Sequence, residues 1–89
     1  LAAGPSSPDV AAAVTDGLAR HRAGAELFGR RLAELGGLRD GVSVEHATTS
    51  CAVMTSPENW RQLTVDFGWS YDRAEAWIID SLRTLVTHP

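Results

Sequence analysis

Eighty-nine residues carry eight arginines, no lysine, eleven acidic side chains and one cysteine, for a net charge of −3. An internal disulfide is excluded, and so is the basic stripe that neutralises phosphates in a DNA-contacting domain, because Arg30-Arg31 is the only adjacent cation pair. No run approaches the ~20 apolar residues that span a bilayer, and the first residues lack the basic-then-apolar layout of a secretory signal, so a soluble, cytoplasmic protein is expected.

A chain of this length holds one domain whose core alone gives small net stability, so help from a partner or from further chain is expected. The start at Leu1 rather than Met reads as an internal piece of a longer polypeptide. Leu1 to Ser6, with Gly4 and Pro5 and no periodicity, reads as a linker or loop end. Ser7-Pro8-Asp9 then supplies an N-cap, a proline at the first helical position and an acid in the first turn. The same serine-then-acid layout recurs at Ser43-Val44-Glu45, Ser56-Pro57-Glu58 and Ser70-Tyr71-Asp72, which marks four helical segments with no convincing strand between them.

The first segment runs from about Pro8 to Leu35 and stops at Gly36-Gly37. Its apolar seam, Val14, Leu18, His21, Ala25, Phe28, Leu32 and Leu35, alternates spacings of four and three as bundle helices do. Gly17, Gly24 and Gly29 interrupt it, so close helix approach or bending is expected there. Leu38 to Gly41 read as a turn. Val44 to about Thr55 is a weaker helix with Val44, Ala47, Cys51 and Met54 on one stripe, and Pro57 requires a kink or one-turn break before Glu58 to Phe67. Trp60, Leu63 and Phe67, spaced three and four apart, lead to Gly68-Trp69-Ser70, where Gly68 ends one helix and Ser70 caps the next.

That last helix, Tyr71 to Val86, is the most strongly patterned. Tyr71, Ala74, Trp77, Ile78, Ile79, Ser81, Leu82, Leu85 and Val86 cover an arc of roughly 200°, about twice what one neighbour hides, so a second apolar contact and a two-fold homodimer are expected. The expected interface is Trp60, Leu63, Phe67, Trp77, Ile78, Ser81 and Leu85. Within it Ile78 and Leu85 are open to either the partner or the intrachain core, and Trp77 is the better anchor.

Chemistry is sparse. His21, His46 and Cys51 have no metal-ligand spacing, and no Ser/His/Asp order, phosphate loop or carboxylate pair stands out, so neither a metal nor an enzyme is expected. Cys51 has uncharged flanks and reads as a small buried hydrophobe. The small, mixed-polarity side chains Thr48, Cys51, Ala52 and Thr55, facing Phe28, suit a cavity wall that binds a small-molecule effector. His21 joins them either as a polar anchor or as a histidine hydrogen-bonded at the edge of the core.

The landmarks Thr55-Ser56-Pro57-Glu58, Trp60, Leu63, Gly68-Trp69-Ser70, Trp77, Leu82 and Leu85 resemble the C-terminal half of TetR-family bacterial transcriptional regulators, without a gap from Ser43 to Val86. From Pro8 to Leu35 the likeness rests on one long helix ending in Gly-Gly. Tyr71 stands where many relatives have proline, and Ala74 where an aromatic is common. The resemblance implies an all-α bundle of three to four helices. It implies that the last two helices form a four-helix dimer interface, and that the helix-turn-helix DNA-binding domain of a repressor lies outside this chain, no cofactor being involved. Two other classes fit the apolar excess: a free-standing helical interaction module, such as an antitoxin or adaptor, and a fragment of a helical enzyme. An upstream basic helix-turn-helix decides among them.

Overall fold

The computed structural model describes residues 8–88, and these are all-helical apart from loops and one isolated bridge. The order is α1 (Pro8–Glu34), α2 (Val44–Met54), α3 (Pro57–Arg61), a π-helical turn (Gln62–Asp66) and α4 (Tyr71–Val86). The expected linker at 1–6 and the Ser7 cap lie outside the described residues. The other three serine caps form as the sequence predicts. Ser43 accepts from the His46 amide at 3.0 Å, Ser56 from Asn59 at 3.2 Å and Ser70 from Arg73 at 3.1 Å.

The helix stops are equally local. Gly36 adopts φ +68°, and Gly37 N–H donates to Leu32 O at 2.8 Å while Gly36 N–H donates to Ala33 O at 3.1 Å, which together close α1 in a Schellman motif. Gly68, at φ +70°, ends the π-helical turn in a wider version, with Trp69 N–H donating to Leu63 O at 3.0 Å and Phe67 N–H to Gln62 O at 3.0 Å. The break expected before Pro57 falls at Thr55-Ser56. The π turn is not expected, and it shows that Glu58 to Phe67 is not one regular α-helix.

Both α1 and α4 pack against α2. Between α1 and α2 the buried residues are small, Ala25 and Gly29 against a fully buried Ala47, so the two backbones approach closely. A Cβ built on Gly29 would stand 2.5 Å from Thr48 Oγ1 and 2.9 Å from Val44 O, leaving no room for any larger residue. The main core sits below α4, where Leu63, Ala74, Ile78 and Leu82 are buried and Cys51, Met54, Trp60 and Trp69 pack on them. The end of α4 is tied to the α1–α2 loop by an antiparallel bridge between Leu38 and Thr87, with Arg39 N–H donating to Val86 O at 2.8 Å and His88 N–H to Gly37 O at 3.2 Å.

The seam of α1 is only partly covered, contrary to its regular spacing. His21, Ala25, Phe28 and Leu32 are buried or half-buried, but Val14 and Leu18 are 56% and 58% exposed and Leu35 is also bare. The cause is length. At 1.5 Å per residue α1 runs about 40 Å, whereas the eleven residues of α2 cover less than half of that. The chain is correspondingly elongated, 50 × 28 × 16 Å with a radius of gyration of 15.6 Å, against about 12 Å for a compact chain of this length.

Candidate functional site

Of the residues read from the sequence as effector-facing, His21, Cys51, Ala52 and Thr55 are joined by hydrogen bonds at one end of the α1–α2 seam, while Thr48 lies further along it beside Gly29 and Phe28 is half-buried on α1. His21 donates from Nε2–H to Ala52 O at 2.8 Å, with Thr55 Oγ1 at 3.4 Å from the same nitrogen. A carbonyl only accepts, so Nε2 carries the proton. Thr55 Oγ1–H in turn donates to Cys51 O at 2.7 Å. This finishes the end of α2 in full. Cys51 O also accepts from the Thr55 amide, Ala52 O accepts from His21, Val53 O from the Ser56 amide at 3.2 Å, and Met54 O from Asn59 Nδ2 at 2.6 Å. The four carbonyls that a helix end normally leaves unpaired are therefore all paired, two of them by side chains from other helices, His21 of α1 and Asn59 of α3.

Histidine 21 thus takes the structural role, clasping α1 to the partially negative end of α2. Cys51 lies beside it, half-buried, and burial pushes its thiol above the ordinary value although the Thr55 hydroxyl works in the opposite sense. Phe28, Thr48, Cys51, Ala52 and Thr55 are all half-buried, and Cys51 packs on the core below α4.

Two open depressions lie elsewhere, on the face shared by α2 and α4. One, of about 530 Å³, is lined by His46, Thr49, Ser50, Val53, Met54 and Leu85 among others. The second, of about 520 Å³, is lined by Met54, Trp77, Asp80, Ser81, Thr84 and Leu85. Met54 and Leu85 belong to both, so the two form one continuous groove. The α2 side of this groove escapes a reading of the sequence. Val53, 62% exposed, lies off the stripe through Ala47 and Cys51, and an isolated apolar residue on a weak helix carries no signal by itself.

The residues read as a dimer interface divide three ways. Leu63 and Ile78, at 8% and 3% exposure, are spent in the chain's own core and offer nothing to a partner surface. On α4 a buried ridge of Ala74, Ile78, Leu82 and Val86, each four residues on, separates two flanks. Tyr71 and Ile79 lie on one flank, where Tyr71 stacks on Trp60 with ring centroids 4.6 Å apart and planes at 11°. Trp77, Ser81 and Leu85 form the ridge on the other flank and wall the groove, with Trp77 42% and Leu85 47% exposed. Phe67, at 67% exposure, is bare beside the Gly68 joint. At the N-terminal end of the groove ridge Trp69 meets Trp77 edge-on at 6.0 Å and carries the Arg73 guanidinium 4.0 Å above its ring.

Comparison with family models, with curated proteins and with solved structures finds no match to this chain. None of the described helices is long and apolar enough to cross a membrane.

Proposed function

We propose that this chain is the effector-binding and dimerisation domain of a TetR-type transcriptional repressor, acting on DNA through a helix-turn-helix domain outside it. The observation that carries the reading is the divided face of α4. One apolar ridge is buried in the chain and a second, Trp77-Ser81-Leu85, is left in an open groove, as a helix that must pack twice requires. The proposed partner is a second copy of the chain, and the proposed effector is a small molecule held by Phe28, Thr48, Cys51, Ala52 and Thr55. His21 is the clasp that an effector would have to displace. Coupling follows from that placement, since α2 carries the effector-facing set on one side and Val53 and Met54 of the groove on the other.

The test is the longer gene product. Expressed with its upstream segment, the protein binds a palindromic duplex sequence-specifically, and Trp77→Arg abolishes that binding by separating the two copies. An upstream segment without a basic helix-turn-helix contradicts the regulator reading, as does DNA binding indifferent to Trp77→Arg.

A further inference from the structure

We draw no further inference here: the strongest candidate, the open groove between α2 and α4 bordered by Glu45, Val53, Met54, Trp77, Asp80 and Leu85, belongs to the face already given to a second copy, and nothing in the structure shows another occupant for it.

Discussion

His21 belongs to α1, yet its ring bonds to the end of α2, and the backbone carbonyl it caps is out of reach of any local partner. Removing it leaves Ala52 O unpaired in a half-buried seam. His21→Ala is therefore expected to lower stability by about 1–2 kcal/mol in urea unfolding, and His21→Gln, whose amide nitrogen reaches nearly the same point, to recover part of that. The same substitution removes a neighbour of the Thr55 hydroxyl, which bonds to Cys51. With its thiol raised by burial, Cys51 labels slowly at neutral pH in the wild type, and His21→Ala speeds that labelling. An unchanged rate would show that the clasp does not hold the seam. Glycines give a second residue-scale contrast. Gly29→Ala drives a methyl into Thr48 and Val44 O and is expected to cost about 1–3 kcal/mol, while Gly17→Ala and Gly24→Ala, with open space around the new Cβ, gain up to about 1 kcal/mol each. The sequence marks all three glycines alike, because the difference lies in what α2 brings alongside.

At the scale of elements, the starts and stops are legible wherever their chemistry is local. Ser43, Ser56 and Ser70 cap the helices they precede, and Gly36 and Gly68 take the left-handed conformations that end the preceding ones. Ser70→Ala is expected to cost about 1 kcal/mol and Gly68→Ala about 1–2 kcal/mol, both visible as lower denaturation midpoints with unchanged slope. A midpoint unmoved by Gly68→Ala would mean that the joint relaxes without it. The π turn at Gln62–Asp66 has no such marker. Trp60, Leu63 and Phe67 have a spacing that suits an ordinary α-helix, and one extra residue in a turn becomes visible only through the bonds Phe67 to Gln62 and Trp69 to Leu63. The coverage of α1 was hidden for a similar reason. Its seam is regular from Val14 to Leu35, but what covers a seam is the length of the neighbour, which α1 does not encode.

For the whole molecule, the apolar arc of α4 predicts two contacts, and the fold assigns one of them. Ala74, Ile78, Leu82 and Val86 are consumed inside, leaving Trp77, Ser81 and Leu85 in the groove with Met54. Which residues fall on which side depends on how α2 and the π turn crowd the helix, so periodicity alone left Ile78 open between partner and core and gave no sign that Leu63 is buried within the chain. Among the described residues the ion pairs Arg31–Glu34, Arg61–Asp66 and Arg83–Asp80 are all solvent-exposed and add little to stability. A net charge of −3 with no lysine also predicts that this chain alone gives no sequence-dependent shift of a duplex palindrome at moderate salt. Tight binding of that kind by these residues would contradict the assignment of DNA contact to another domain. The central claim is that the open α2–α4 face exists to meet its own copy, and sedimentation equilibrium of the wild-type chain at micromolar concentration tests it most directly. The expected result is a species of twice the 9.5 kDa chain mass that Trp77→Arg converts to monomer and Arg83→Glu leaves intact; a wild type that sediments as monomer throughout would contradict it.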